Sequence, residues 1–542
     1  MPNYQHLDKD ALIRLLERRD AERQLGLVWE RDEIDADAAI NADHVALALI
    51  EDLSHGAAPW GNLIIEGDNF DALRALRMSH AGTIRCIYID PPYNTGNRDF
   101  VYNDRFVDKS HRFRHSLWLE FMYQRLRLAK DLLADDGVIF VSIDDNELFR
   151  LGMLMDKVFG GGNFVAQFIW KKVDSPNDNK VAVTPDHEYL LCFARDADML
   201  RLVQKEAPEI IAAYGQVDEN DHRYRDRLLK KNGKNSLRRD RPSMFFPIPG
   251  PDGIDVYPIH DNGEEARWAK GKEGVAQHLA DDSLVWKQRE KLGRTVWEPY
   301  TREWAPESPS RPWPTIWSDL PTMRQAKAML RDVFQTSDLF STPKPVELIE
   351  RVLRVVGDHD ATVLDFFAGS GTTAHAVAKL NAEDGGARRF ILVSSAEATA
   401  EEPDKNLCRD VCAERVRRVL GGYVNAKGAP VAGLGGGFAY LRARRIAPHR
   451  LALKLEHTEV WQALQLIHQR ALTPWPGGGF AADGALAYLA DFREAHVAKL
   501  RAWLQEAQQP TIYCWAPERV RALAPDADWQ PIPQALRARF GR

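Results

Sequence analysis

The chain has little cysteine for its size, with five residues (Cys86, Cys192, Cys408, Cys412 and Cys514) in a length of 542. They form no CxxC pair and stand near no paired histidines at zinc spacing, so neither a disulfide scaffold nor a metal site is expected. Cys408 and Cys412 fall one helical turn apart, which reads as packing. No stretch approaches the roughly 18 apolar residues of a membrane span. The N-terminal MPNYQHLDKDALIRLLERRD is charged where a secretion signal is apolar, so a cytoplasmic location is expected. No GxxxxGK[ST] loop occurs, and any ATP-driven step is expected on another polypeptide. A strong positive charge is missing too: the balance of -6 by itself argues weakly against a nucleic-acid partner.

What is present is an interrupted alternation of strands and helices. Residues 1–60 read as an acidic helical segment, ending in the amphipathic stretch DADAAINADHVALALIEDL. The apolar run from Asn62 to Ile65, the helix FDALRALRMSH, the strand TIRCIYI, the helix over 116–134 closed by Asp135-Asp136-Gly137, and the strand VIFVSI follow. Near-continuous apolar strands separated by helices predict an α/β fold, a largely parallel sheet covered on both faces. The alternation stops over 196–335 and returns over 336–425 with the helix PVELIERVLRVV, the strand ATVLDFF, a glycine turn into a helix, the strand RRFILV and the helix NLCRDVCAERVRRVL. The expected domains are therefore 1–60, 61–195, 196–335, 336–425 and a C-terminal α+β extension over 426–542. The glycines at 433 and 435–437 precede FAYLRARRI, which alternates like a strand; they read as a turn, since a phosphate-cradling loop opens a helix.

Two short stretches carry chemistry. In Asp365-Phe366-Phe367-Ala368-Gly369-Ser370-Gly371-Thr372 a strand enters a glycine turn and a helix leaves it, so that backbone can approach a ligand closely. Alone, this GxGxxA pattern is compatible with NAD, with S-adenosylmethionine or with no ligand; Glu397, after the next strand, stands about where a ribose-binding acid belongs. The other stretch is Asp90-Pro91-Pro92-Tyr93, at the end of TIRCIYI. The prolines fix their φ angles and remove two N–H donors, leaving Asp90 and the Pro91 carbonyl to accept both hydrogens of one exocyclic amine while Tyr93 stacks on the ring that bears it. Drawing both hydrogens to acceptors frees a lone pair otherwise delocalised into that ring, and a methyl group on sulfur could be attacked directly, by positioning and electrostatics alone.

Asp90-Pro91-Pro92-Tyr93 resembles the DPPY motif of amino-group DNA methyltransferases, and Phe367-Ala368-Gly369-Ser370-Gly371 their FxGxG motif. Catalytic motif before cofactor motif, with a basic segment between, is the circularly permuted order of the β class. GDNFDAL, YIDPPYNTGNRDFVYND, VIFVSIDDNE, DHEYLLCFARD, RPSMFFPIPGPDG and STPKPVELIERVL are similar to the modification subunits of type III restriction-modification systems. The resemblance implies a Rossmann-like, S-adenosylmethionine-dependent methyltransferase fold with an inserted target-recognition domain. It also implies that Asp90, Pro91, Pro92 and Tyr93 activate a flipped adenine. Asp365, Phe366, Phe367, Ala368, Gly369, Gly371 and Thr372 would contact the cofactor, with Glu397 at its ribose, Asp68 at its adenine, and Thr342, Lys344 and Pro345 lining the same pocket. Where relatives end the ribose strand in a Leu-Pro-Glu-like sequence this chain reads Ser394-Ser395-Ala396-Glu397. None of the five cysteines follows a proline, as the nucleophile for methylation of cytosine carbon 5 does.

The implied partner is double-stranded DNA. Residues 222–241 hold nine Lys or Arg against two acids, and six of the fifteen tryptophans lie over 268–317 (Trp268, Trp286, Trp297, Trp304, Trp313, Trp317). Alone, this segment reads as a solvated basic face beside an aromatic core; with the resemblance, Arg223, Arg225, Lys230, Lys231, Arg238, Arg239 and Arg241 become candidate DNA contacts. A homodimer and a separate restriction subunit are further expected partners. The alternatives are an N4-cytosine methyltransferase, whose amine presents the same two hydrogens, a DNA-recognition subunit without catalysis, and a nicotinamide-dependent oxidoreductase, which leaves DPPY unused.

Overall fold

The structure, a computed structural model, describes residues 8, 9, 11–13, 43–96, 101, 102, 105, 106, 114–174, 182–291, 293–336, 339–398 and 402–540. Most of the expected N-terminal helical segment and part of the GNRDFVYND stretch lie outside these. The chain forms two compact units, one running to Val203 and resuming at Pro314, the other spanning Gln204–Trp313.

The first unit is built on a ten-stranded sheet: β1 His44–Leu49, β2 Leu63–Glu66, β3 Ile84–Ile89, β4 Leu133–Ile143, β5 Phe164–Lys171, β6 His187–Ala194, β7 Ile316–Trp317, β8 Thr362–Asp365, β9 Arg389–Ser394 and β10 Ala439–Ile446. Their spatial order is β1-β10-β2-β9-β8-β3-β4-β6-β5-β7. From β10 to β4 every pairing is parallel; β6 runs antiparallel to both β4 and β5, and β1 antiparallel to β10. The helices are α1 Asn69–His80, α2 Arg114–Leu132, α3 Leu148–Phe159, α4 Met323–Phe334, α5 Val346–Val356, α6 Thr372–Asp384 and α7 Glu414–Gly421. Ile87, Ile89, Ile139, Val141, Leu364 and Ile391 pack in one core with Leu73, Leu76, Met122, Leu126 and Leu151 of α1–α3. The alternate residues Cys86, Tyr88, Val138 and Val363 are equally buried on the opposite face, where α5 meets β3 and α6 meets β9. A sheet covered on both sides needs apolar residues at every position, which is why these strands read as continuous apolar runs.

β3 leads outward to β4 on one side and β8 to β9 on the other. The boundary between them is a topological switch point, and in open α/β sheets ligands bind outside the carboxyl ends of the strands at such a point. The expected α/β fold on a largely parallel sheet is the one observed.

Four expectations need correction. His44–Leu49 is a strand, not part of a helix: Val45 and Leu47 enter the main core while Ala46 enters a second core with Trp461 and Tyr488, so pairing with β10 and two-sided burial override the helix preference of Ala and Leu. Asp135-Asp136-Gly137 does not merely end α2; these residues lie within β4, where the register jumps so that Ile84 faces Leu133 and Cys86 faces Val138. The irregular insertion is narrower than 196–335, because β7 and α4 belong to the first unit. The stretch over 426–542 is not wholly separate either, since β10 lies between β1 and β2; a four-stranded sheet (β11 Phe480–Asp483, β12 Leu486–Leu489, β13 Thr511–Cys514, β14 Asp528–Pro531) follows it. The glycine cluster is a turn into β10, as expected: a Cβ on Gly433 would meet the Leu420 carbonyl at 2.3 Å.

The second unit holds a four-stranded antiparallel sheet from Gln216–Val217, Arg223–Leu228, Leu284–Lys291 and Arg294–Trp304, with a small core of Leu229, Phe246, Ile248, Trp268, Val275 and Leu284.

Candidate active site

Asp90-Pro91-Pro92-Tyr93 leaves the carboxyl end of β3 and the glycine turn leaves the carboxyl end of β8. In the parallel pairing of these strands Leu364 faces Ile87 and Val363 faces Cys86, so the two motifs emerge side by side. The Trp118 indole donates to the Pro92 carbonyl at 2.7 Å. Asn94, fully buried at φ 54°, donates to Glu147 at 2.6 Å. The corner is thus held from behind, and among the described residues nothing donates to the Pro91 carbonyl.

On the open side the acid is not alone. The Lys344 ammonium lies 2.8 and 2.7 Å from the two Asp90 oxygens and 3.4 Å from Glu188 Oε2. The Tyr93 hydroxyl lies 2.8 Å from Asp90 Oδ1 and 3.0 Å from Glu188 Oε2, one proton between two acceptors. Lys172 reaches the other Glu188 oxygen at 3.3 Å. Burial pushes the Asp90 carboxyl up despite Lys344, and burial together with the two acids raises the Tyr93 hydroxyl well above its usual range. Burial acts on Glu188 in the same upward sense, but Lys344 and Lys172 outweigh it and hold this acid below the usual range.

In the glycine turn, Gly369 and Gly371 have φ of +49° and +77°, and a Cβ on either would come within 3.0 Å of Phe340 or of the Cys412 carbonyl. Asp365 is buried inside the turn, accepting from the Phe367 amide at 3.0 Å and the Thr373 hydroxyl at 2.6 Å, and burial raises its carboxyl to about 7. Arg415, buried, braces the turn from below by donating to Ser370 Oγ at 3.0 Å and Thr372 Oγ1 at 2.8 Å. Asn69 donates to the Phe366 carbonyl at 2.9 Å and receives a bond from Arg125, which also pairs with Asp68 at 3.1 Å.

The expected site residues therefore divide. Asp90, Pro91, Pro92 and Tyr93 stand beside Phe367, Ala368, Gly369, Gly371 and Thr372 at one sheet edge, with Asp68 tied to the turn through Arg125 and Asn69. The Phe366 ring and the Asp365 carboxylate face inward, so these two hold the turn by core packing and hydrogen bonds rather than offering side chains to a ligand. Lys344, expected in the cofactor pocket, has its ammonium on Asp90; Pro345 is buried beside it and Thr342 is exposed. Glu397, at φ 54° beyond β9, is half-exposed and pairs with Lys405 at 3.5 Å.

In the second unit, Lys230 is buried and bound to Glu298 at 2.8 Å and the Ile259 carbonyl at 3.0 Å, which removes it from the candidate DNA contacts: a cation in a core must be paired. Arg225 donates through Nε and Nη2 to one oxygen of Glu303, at 2.9 and 2.7 Å, and Arg238 pairs with Glu265 at 2.9 Å. Arg223, Arg239 and Arg241 are exposed, Lys231 is partly so, and none of the four forms an ion pair among the described residues. Trp268 is core, and Trp317 belongs to the first unit, stacked on Phe168; Trp304 stays half-exposed.

Glu188, Lys172 and Arg415 had no assigned role in the sequence. The one available signal was an acid at the head of the apolar strand HEYLLCFA, a place where an unpaired carboxylate is costly.

A switch-point crevice with a carboxylate and a rigid proline corner on one strand and a bare glycine turn on its neighbour is the arrangement of an α/β transferase that moves a group from a nucleotide-like cofactor to an acceptor beside it. Comparison with known proteins gives the family: residues 84–401 match the model described as DNA methylase, and the chain belongs to that N6/N4 methyltransferase family. It is 35% identical over 385 residues, 66% of this chain and 57% of that protein, to the type III restriction-modification enzyme StyLTI Mod subunit of Salmonella typhimurium strain LT2. With the EcoPI Mod subunit of Escherichia phage P1 it is 34% identical over 64% of this chain and 60% of that one. With the type II methyltransferase M.KpnI of Klebsiella pneumoniae it is 35% identical over 61% of this chain and 79% of that one. The chain thus spans less than two thirds of the two Mod subunits it matches.

The cofactor of this family, S-adenosylmethionine, fits the residues present. α6 opens at Gly371 with no side chain capping it, so its first amides are not taken by a side-chain acceptor, and the left-handed glycines keep side chains out of the approach. Among the described residues no group of three or more His, Cys, Asp or Glu could hold a metal ion, and no helix is long and apolar enough to cross a membrane.

Proposed function

We propose that the chain methylates the N6 amino group of a flipped-out adenine in double-stranded DNA, as the modification subunit of a type III-like restriction-modification system acting in the cytoplasm. The observation that carries this reading is the pairing of Leu364 with Ile87, which brings the amine-accepting corner and the glycine turn to one crevice. When bound there, S-adenosylmethionine supplies an electrophilic methyl carbon. Asp90 and the Pro91 carbonyl accept the two amine hydrogens, drawing the nitrogen toward tetrahedral geometry, and the Tyr93 ring, pinned through its hydroxyl, packs on the base. Asp68 and Glu397 are assigned to the adenine and ribose of the cofactor, with Phe367 and the amides beyond Gly371 at its methionine half. The chain's part is positioning, which in a dry, oriented site contributes on the order of 10 kcal/mol.

A paired adenine hides its N6 in the stack, so the base must leave the duplex, at roughly a few kcal/mol. The Gln204–Trp313 unit is assigned to the duplex, with Arg223, Lys231, Arg239 and Arg241 on phosphates or base edges. A homodimer and a restriction subunit belong to the same proposal. Transfer of labelled methyl groups to plasmid DNA, followed by nucleoside analysis, tests the reading: N6-methyladenine is expected. N4-methylcytosine alone would replace adenine as the substrate, and no transfer would return the chain to DNA recognition without catalysis.

A further inference from the structure

The amine-accepting corner is already occupied by an amine that belongs to the protein. Lys344 places its ammonium on both Asp90 oxygens, at 2.8 and 2.7 Å, and 5.0 Å from the centre of the Tyr93 ring. That is the station a substrate amino group needs, with a donor toward the carboxylate and an aromatic face alongside. Lys344 is only 5% exposed and cannot simply swing into solvent. Asp90 Oδ1 already accepts from both Lys344 and Tyr93, and the ammonium stands over the Tyr93 ring, so a base that stacks on that ring and donates to this corner displaces it.

We propose that Glu188 is the berth that takes Lys344 when the base arrives, a positioning residue that opens the Asp90 corner without leaving a buried cation unpaired. Glu188 Oε2 already stands 3.4 Å from the Lys344 ammonium, so the transfer is a shift of about an ångström within hydrogen-bond reach. Glu188 is itself buried and steadied by Lys172 at 3.3 Å, so two acids and two lysines remain within the site before and after the move. An unpaired charge in such a place is strongly unfavourable, and keeping the count constant avoids that cost. The Tyr93 hydroxyl, which touches both acids, stays bonded in either state. This inference rests on the methyltransferase reading of the corner.

Free protein whose Lys344 sits on Asp90 is closed to the base, and the apparent affinity for DNA is reduced by the fraction that is open. Replacing Glu188 by glutamine removes the charge of the second berth, so Glu188→Gln is expected to raise KM for unmethylated plasmid DNA about tenfold, a larger change than in kcat, with the Kd for S-adenosylmethionine within about threefold. Glu188→Asp, which keeps the charge, is expected to recover most of that loss. In a Lys344→Met background, where nothing needs moving, Glu188→Gln is expected to change KM less than about twofold; the same cycle can be followed in the Kd for plasmid DNA, which requires no turnover. Additive effects of the two substitutions, or equal effects of Asp and Gln at 188, overturn the hand-off while leaving the methyltransferase reading intact. A wild-type protein that transfers no methyl group to plasmid DNA overturns that reading and this inference with it.

Discussion

Leu364 and Ile87 face each other across two parallel strands, and three residues beyond each the chain turns away into chemistry: Asp90 on one side, Phe367 on the other. The parallel register brings the carboxyl ends of the two strands, and so the start of both motifs, to the same edge of the sheet. On the proposed reading a methyl group passes directly between them, and the two halves should fail separately. Asp90→Ala is expected to lower kcat by about 10²–10³-fold or more with cofactor affinity within about threefold, since the groups that lose a partner, the amine, Lys344 and Tyr93, all lie on the base side of the crevice. Gly371→Ala is expected to weaken cofactor binding first, because alanine at this left-handed position is strained by about 1–2 kcal/mol and its Cβ presses on the Cys412 carbonyl. Isothermal titration beside single-turnover assays separates the two; a large loss of cofactor affinity in Asp90→Ala would contradict the division of labour.

Trp118 fixes the corner from behind through its bond to the Pro92 carbonyl. Trp118→Phe keeps most of the buried ring but leaves that carbonyl without a donor, which is expected to cost about 1–3 kcal/mol of stability. Activity should fall further than stability implies, on the order of 10²-fold, because the neighbouring Pro91 carbonyl loses its aim. Chemical denaturation and kcat on plasmid DNA give both numbers, and unchanged kcat in a destabilised variant would show that the indole only fills space.

How much of this could be seen in the sequence depends on how local the cause is. The strands at 84–89, 362–365 and 389–394 and the glycine turn were legible because continuous apolar runs and a left-handed backbone leave direct marks on residue choice. His44–Leu49 was not, since its strand state is set by partners in β10 almost four hundred residues away, and its Ala and Leu suit a helix as well. Asp90 and Tyr93 announced themselves by sitting in a rigid corner. Glu188 and Lys344 acquire their meaning only from meeting over Asp90, a contact among β3, β6 and the loop before α5 that no spacing encodes. The basic stretch misled for the reverse reason: nine cations in twenty residues look alike in sequence, yet Lys230 is buried on Glu298 whereas Arg239 and Arg241 face solvent.

That contrast is measurable in the second unit. Arg239→Ala and Arg241→Ala are each expected to weaken DNA binding and to reduce the slope of log K against log salt by about one, as phosphate contacts do. Lys230→Met is expected to leave the slope alone and to cost about 3 kcal/mol of stability, because Glu298 loses its nearest cation inside the core. Filter-binding titrations at several salt concentrations decide it; an unchanged slope in the Arg239 and Arg241 variants would remove this surface from the interface.

Asp365 makes the glycine turn sensitive to pH in a direction opposite to that of an ordinary surface carboxylate. Burial raises its folded-state value to about 7, from 3.8 for the free side chain, despite the bonds from Thr373 and the Phe367 amide. Between those two values the folded chain holds a proton that the unfolded chain has released. The contribution of this group to stability is therefore whole below about pH 4, declines as pH rises toward 7, and is flat beyond, a total of at most about 4 kcal/mol. Asp365→Asn stays neutral throughout: its side-chain oxygen can keep the Phe367 amide while the Thr373 hydroxyl turns to accept from the new amide. Other groups titrate equally in both proteins, so the informative quantity is the stability of the variant minus that of the wild type, which is expected to rise with pH from about 4.5 to 7 and then level. Urea denaturation at half-unit steps of pH measures it. Parallel stability curves would mean that the carboxylate is ionised in the folded protein, and that the turn beside the reacting groups carries a negative charge rather than a neutral acid.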